Sequence, residues 1–441
     1  MRIFFNFTMC LTACLILVLA RCGGTSQVDN SPLPVARGGQ SVSTPVSQYE
    51  DFAPTISALG KRIVFVSTRT QVGAIFPRRL WKSTFTSTVG SSAPVRVLNS
   101  DVFDDEQEPV LSADGTFVLF KAKKGQAISI VLAKFDDPGF SQVVASSFLS
   151  PPKYTFSQDS SLFAFVVSAN SAQSVLGIAS VANPAIVYSF TVSGESISGL
   201  FWIATASGYQ LGWSSSTLGF DRNISSLNFA NLSALSTSTK QLWLTGVGFD
   251  DQSFNTNGSF MTAAVKISPD GSKTVPPLGN VVTPTVFNRR NEVQIFNFPG
   301  VTPVSFSNYT PMSVRFRYVS LDSTSVFALG LFPVQCPLDP NPQYQNIISV
   351  FNGTTETKII PRTATVANTW EISADPCLKK HADGSDGILD TQISNFMANA
   401  NATAQNFVAL YVTNQSGDQE VRAIETLVGV SKIYEVSNNK P

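Results

Sequence analysis

The segment LSADGTFVLFKAKK, Leu111 to Lys124, joins a polar turn to an alternating apolar run, and this arrangement recurs along the chain. ISALGKRIVFVSTR (Ile56–Arg69) and FSQDSSLFAFVVSA (Phe156–Ala169) superimpose on it. Each has a serine, two residues, a glycine or serine, two more residues, and then large apolar side chains. Looser copies follow: ATASGYQLGW through Thr205, Gly208 and Trp213, FNTNGSFMTAAV through Asn255, Gly258 and Met261, and VSLDSTSVFALGLF through Ser320, Asp322 and Val326. QISNFMANANATAQNFVALYV fits once the turn after Ser394 is expanded. The first offset is about 55 residues, later ones are about 45 to 50, and the last are longer.

A repeat of about 50 residues made of short strands is the sequence mark of a β-propeller blade. One such sheet has two apolar faces and cannot bury them alone, so neighbours stack around an axis. The fold class expected is therefore all-β: a single β-propeller of about seven four-stranded blades, with six or eight also fitting the longer offsets. The first blade reads as four steps. APTIS is the inner strand, SALGK the turn, RIVFVS the buried second strand, and LWKSTF and VRVLN step outward. Glycine in the turn supplies positive φ, and the aspartate before it caps the turn locally rather than acting in chemistry. Abundant Ser, Thr, Val and Phe, with 28 Gly and 25 Pro as punctuation, favour strands and turns over helices.

Ser-x-Asp-Gly followed by an apolar strand, at Ser112–Phe120 and in related form at Ser320–Ala328, resembles the TolB-like propeller repeat of exported bacterial proteins. SPDGSKTV (Ser268–Val275) matches its wording, although PPLGN follows where a strand should continue. The resemblance covers roughly residues 50–435. It implies the fold and little about activity, because propellers host unrelated functions.

The first 21 residues, one early Arg2 and then an apolar run to Ala20, read as a signal peptide. LARC, Leu19 to Cys22, resembles a bacterial lipobox and makes Cys22 the expected lipidation site, with Arg21 departing from the pattern. LTAC at Leu11–Cys14 and cleavage after Ala20 are the alternatives. Residues 22–49, rich in Gly, Ser, Pro and Thr, read as a lipid-anchored flexible linker spanning about 30 Å. The propeller then occupies 50–441, with a loop insertion near 336–390. The localisation expected is an exported lipoprotein of the bacterial outer membrane, periplasm or cell surface.

With Cys22 lipidated, Cys336 and Cys377 remain as an even pair in an oxidising compartment and are expected to form a disulfide. HADGSDGILD places Asp383, Asp386 and Asp390 as weak Ca²⁺ candidates, without the closing Glu of a calcium loop. No other cofactor is expected. The lone histidine, His381, leaves little room for a Ser-His-Asp triad or a multi-histidine metal site. No Gly-x-Ser-x-Gly elbow and no P-loop occurs. Thirty basic residues balance 30 acidic ones, which argues against a nucleic-acid surface. PRRLWK (Pro77–Lys82) reads as a solvated strand edge, and FDDEQE (Phe103–Glu108) and FDDQS (Phe249–Ser253) read as solvated acidic loops. The function expected is a non-catalytic, envelope-anchored scaffold that binds another envelope protein, with the membrane reached through the lipid. The alternative is glycan binding or polysaccharide processing by acidic residues at the axial channel.

Overall fold

The computed structural model describes residues 50–437 with gaps. Positions 1–49, 71–76, 87–89, 147–152, 171–172, 204–207, 217–221, 248, 399–405, 414–419, 428–429 and 438–441 lie outside the described residues, and from 249 to 398 only strand backbones are described. Pro45–Pro441 forms one compact unit.

The strands fall into seven antiparallel sheets among the described residues, each built from strands consecutive in sequence. The first holds β1 (Asp51–Ile56), β2 (Arg62–Ser67), β3 (Arg79–Thr86) and two short pieces, β4 (Gly90–Ser91) and β5 (Val95–Arg96), both paired to β3. The second holds β6 (Asp105–Leu111), β7 (Phe117–Lys124), β8 (Ala127–Lys134) and β9 (Ser141–Ser146). The third holds β10 (Lys153–Phe156), β11 (Leu162–Asn170), β12 (Gln173–Ser180) and β13 (Asn183–Ser193). The fourth holds β14 (Ser196–Ile203), β15 (Tyr209–Ser216), β16 (Arg222–Phe229) and β17 (Lys240–Val247), with a 3₁₀ helix, Leu232–Thr237, between the last two. The fifth holds β18 (Phe249–Phe254), β19 (Phe260–Ile267), β20 (Arg290–Asn297) and β21 (Val304–Phe306). The sixth holds β22 (Ser313–Val319), β23 (Ser325–Val334), β24 (Gln343–Asn352) and β25 (Thr355–Ile359). The seventh holds β26 (Ser394–Ala398), β27 (Asn406–Thr413), β28 (Glu420–Leu427) and β29 (Val430–Glu435).

Every recurring segment of the sequence falls at the junction of a sheet's first and second strands. SPDGSKTV, at 268–275 between the ranges of β19 and β20, lies outside the described residues. Strands β24 and β25 occupy positions within the 336–390 stretch read as a loop insertion, and Cys336 falls between β23 and β24.

The second strands are the most apolar because they are packed on both faces. Ile63, Val64, Phe65 and Val66 in β2 are fully buried, as are Val118, Leu119 and Phe120 in β7. Alternation then divides each strand between two seams. Val64 and Val66 join Val118 and Phe120 between the first two sheets, whereas Ile63 and Phe65 meet Leu410, Val412 and Ala423 of the last. Leu119, Ile130 and Leu132 likewise pack on Phe163 and Phe165 of the third sheet. Each fully buried Val, Ile or Phe contributes roughly 1.5–3 kcal/mol relative to exposure, so the seams, not the single sheets, carry the core.

Candidate functional site

The three best-matched turns share one geometry. Ser57, Ser112 and Ser157 each accept on the side-chain oxygen from the amide five residues on, at 3.1, 2.9 and 2.9 Å. Each serine carbonyl accepts from the amide three residues on, at 2.9, 2.8 and 3.0 Å. That third position is left-handed in all three: Gly60 at φ 73, Gly115 at φ 78 and Ser160 at φ 60. Asp114 accepts the Ser112 hydroxyl at 2.6 Å and the Thr116 amide at 2.9 Å, and Asp159 repeats this with Ser157 at 2.6 Å and Ser161 at 3.1 Å. Partial burial works against the Asp114 charge, but the hydrogen bonds from Ser112 and Thr116 outweigh it and hold the carboxyl below its usual range. Asp159 is held down in the same way by Ser157 and Ser161.

These turns are also linked to one another across the first three sheets. The Ala58 amide donates to Ala113 O at 2.8 Å, and the Asp114 amide donates to the Ser160 hydroxyl oxygen at 3.2 Å. Gln158 donates to Trp202 O at 3.4 Å. The result is a surface whose backbone is fixed by neighbouring blades, with Leu59 projecting from it at 62% exposure.

The ends of the first strands nearer Asp51 and Glu106 form a second cluster. Ladder pairing skips between Phe52 and Thr55 in β1 and between Gln107 and Val110 in β6, with Ala53 at φ 48 and Glu108 at φ 52. The carboxylates just before these bulges, Asp51 and Glu106, are fully buried. Glu106 reaches back to the first sheet: its amide donates to Arg78 O at 3.0 Å, and its Oε2 accepts the Leu80 amide at 2.8 Å. Its Oε1 has no hydrogen-bond partner among the described residues. Burial pushes the Glu106 carboxyl above its ordinary range, against the pull of the Leu80 N–H and of Arg79 and Arg96.

Arg78 grips Asp105 with two bonds, 2.8 and 2.5 Å. Arg79, only 3% exposed, donates to Asp104 O at 2.9 Å and lies 3.3 Å from Asp101, which Arg96 pairs at 2.8 Å. Glu108 pairs with Lys121 at 2.6 Å, and Tyr154 of the third sheet donates to Glu108 O. PRRLWK and FDDEQE are therefore not solvated edges and loops: they meet across the seam of the first two sheets. Their separation in sequence hid this, since the antiparallel path of β3 and the bulge of β6 bring them together. FDDQS likewise begins a first strand, β18. In the fourth sheet Glu195 is held by Ser215 at 2.8 Å, by the Trp213 indole at 3.3 Å and by Lys240.

A cleft of about 510 Å³ lies within the β16–β17 connection, lined among others by Asn228, Phe229, Thr237, Ser238, Lys240 and Gln241. Cys22, Cys336, Cys377, Asp383, Asp386 and Asp390 lie outside the described residues. Among the described residues no three His, Cys, Asp or Glu side chains are grouped to hold a metal ion.

Repeated antiparallel sheets of four or five consecutive strands, with apolar cores stacked between neighbouring sheets and the first three turns linked from blade to blade, define a β-propeller. Among solved structures, the β-propeller domain of the Trilobed protease from Pyrococcus furiosus, described as having an open velcro topology, is similar at 10% identity. The match covers 88% of this chain and 99% of that one, with a TM-score of 0.50. TolB from Acinetobacter baumannii is similar at 14% identity over 68% of this chain and 62% of that one, TM-score 0.38. An oligogalacturonate lyase from Vibrio parahaemolyticus matches at 13% identity over 68% and 78%, TM-score 0.41. The fold is thus a β-propeller, and TolB proteins stand among the structures it is similar to. No protein-family model and no curated protein matches the chain.

Proposed function

We propose that the chain is an exported, non-catalytic binding protein that engages another protein with the linked-turn face of its propeller. The observation that carries this reading is the state of the carboxylates. Among the described residues Asp101, Asp105, Glu108, Asp114, Asp159 and Glu195 are committed to ion pairs or local hydrogen bonds, and Glu106, with one oxygen unpartnered, is fully buried in the seam of the first two sheets. Such groups hold blades and turns in place rather than standing ready for acid–base work, whereas the turn face offers a broad surface with little freedom to lose on binding. Export rests on the apolar first 21 residues, and anchoring at Cys22 belongs to the same proposal. Replacing Cys22 by Ala should then release the protein from membranes on fractionation.

A glycan-binding role is the second reading. The cleft of the β16–β17 connection favours it, since amides, hydroxyls and one ammonium line it beside an aromatic ring. The deciding experiment is crosslinking of the tagged protein in its native envelope, run in parallel with Leu59→Asp. A stoichiometric protein captured by the wild type and lost with the variant, at unchanged thermal stability, supports the scaffold. Co-purifying carbohydrate with no protein partner, or capture indifferent to Leu59, overturns it.

A further inference from the structure

The outermost strands of the seven sheets differ in how their free edges are guarded. An unpaired strand edge presents a row of backbone donors and acceptors, and proteins blunt it with short strands, lysines or prolines. Strands β4, β5 and β21 have 2, 2 and 3 residues. Strands β17, β25 and β29 carry lysine: KQLWLTGV, TETKI and VSKIYE. Strand β9, SQVVAS, is uncharged but has only 6 residues.

Strand β13 breaks the pattern. It has 11 residues, NPAIVYSFTVS, no charge anywhere, and its single proline at the second position; its ladder to β12 is regular from Val187 to Ser193 and shifts register over Pro184–Ile186. It is the end strand of its sheet and pairs with β12 alone. Its even positions turn toward the fourth sheet, where Tyr188 and Phe190 pack with Leu235 of the 3₁₀ helix and Val192 is buried. Its odd positions, Ala185, Val187, Ser189, Thr191 and Ser193, are all exposed, and Ile186 is 51% exposed as well. AIVYSFTV combines β-branched and aromatic residues with zero charge, the composition that pairs with copies of itself.

We infer that β13 is a docking edge for the β13 of a second copy of this chain, in an antiparallel pair related by a two-fold axis. Charge selects this occupant. An edge without charge meets its own copy with no like-charge repulsion, in a chain whose 30 basic and 30 acidic residues cancel. A charged peptide would find no counter-charge on the strand. An isologous contact also closes after two copies, so it gives a dimer and not a filament. The regularly paired part of β13, Val187–Ser193, is about 24 Å long at about 3.4 Å per residue. One strand pair buries less than the ~800 Å² per partner of a stable interface, so the dimer is reversible and concentration-dependent.

The test is sedimentation velocity of the purified mature protein across a hundred-fold concentration range, beside the double variant Ile186→Lys/Val187→Lys. Both side chains are exposed, so the variant should fold, which circular dichroism checks. A monomer–dimer equilibrium in the wild type, weakened by at least ~10-fold in the variant (~1.4 kcal/mol) and partly restored by high salt, is expected. Single cysteines at Ala185, Val187, Ser189 and Thr191 provide the register. One position should crosslink to itself, and positions equally spaced about it should crosslink only in mixtures. A wild type monomeric at every concentration, or a dimer that survives the lysines, overturns the inference.

Discussion

Replacing Gly115 by Ala isolates the packing of the linked turns from their backbone conformation. Gly115 has φ +78, and a Cβ built there would meet Arg62 Cδ at 2.6 Å and Ser57 Cβ at 3.1 Å. The left-handed backbone alone costs an L-residue about 1–2 kcal/mol. The Arg62 stem must also give way. Arg62 donates to Gly115 O at 3.1 Å, pairs with Asp136 at 2.7 Å and lies 5.0 Å over the Phe135 ring. Losing the hydrogen bond costs about 0.5–1.5 kcal/mol, the stacking about 0.5–1, and the exposed ion pair under about 1. Gly115→Ala should therefore destabilise by roughly 2–4 kcal/mol. Gly125 is the internal reference, since it has φ +60 but nothing within 4 Å of its Cβ position, so Gly125→Ala meets only the backbone cost. Urea unfolding of both variants, compared at unchanged slope, should put Gly115→Ala below Gly125→Ala by about 1–3 kcal/mol. Equal losses would refute the claim that blade-to-blade contact at Arg62 stabilises the turn.

Two further outcomes follow from buried groups. Glu106 has a folded-state pKa raised by burial, so the stability it adds is present below the ordinary carboxylate range and is lost as pH rises through the folded value. Glu106→Gln keeps an acceptor for the Leu80 amide and removes the charge, and should flatten the fall in melting temperature as pH rises above the ordinary carboxylate range; an unchanged slope would place its origin elsewhere. In the fourth sheet the Phe201 ring lies across its ladder partner Gly212, where a Cβ would stand 2.1 Å from the ring. Gly212→Ala should cost about 1–3 kcal/mol by overpacking, and Phe201→Leu in the same chain should recover part of it in a double-mutant cycle; strict additivity would rule out the contact.

The turn and the strand after it were legible because both are local. Ser57, Ser112 and Ser157 lie within five residues of every group they bind, so spacing alone encodes the geometry. The role of serine as the hub, accepting the amide of the strand's start, had no separate signal beyond its recurrence. The charged seam was illegible for the opposite reason. Arg78 and Asp105 are 27 residues apart, and their meeting depends on how β3 of one blade passes the bulge of the next. Charge in a sequence suggests solvent by default, and only the stacking of sheets reverses this for Arg79 and Glu106. The glycines opposite phenylalanine, Gly177 with Phe165 and Gly212 with Phe201, become interpretable only once strand register is known.

Ring closure shows how one position is adapted to two kinds of seam. Among the described residues each sheet uses only strands consecutive in sequence, and no described strand is shared between the first blade and the last. The first and second blades are also joined by the chain itself, and there the buried acid before the bulge, Glu106, accepts the Leu80 amide of its neighbour. The first and last blades have no such direct link. At the equivalent position Asp51 is held by Arg69 at 2.9 Å, and the same nitrogen of Arg69 reaches across to Ser437 O at 2.9 Å. Arg69 is itself steadied over Trp81 and Phe65, at 4.7 and 5.5 Å. Ser91 adds a bond to Val436 O at 3.1 Å, and Ile63, Phe65 and Phe85 share a core with Leu410, Val421 and Val436. At the closing seam the arginine thus couples the buried acid itself to the neighbouring blade, whereas between the first two blades Glu106 binds the neighbour's backbone directly and the arginines, Arg78 and Arg79, engage Asp105 and Asp104 O beside it.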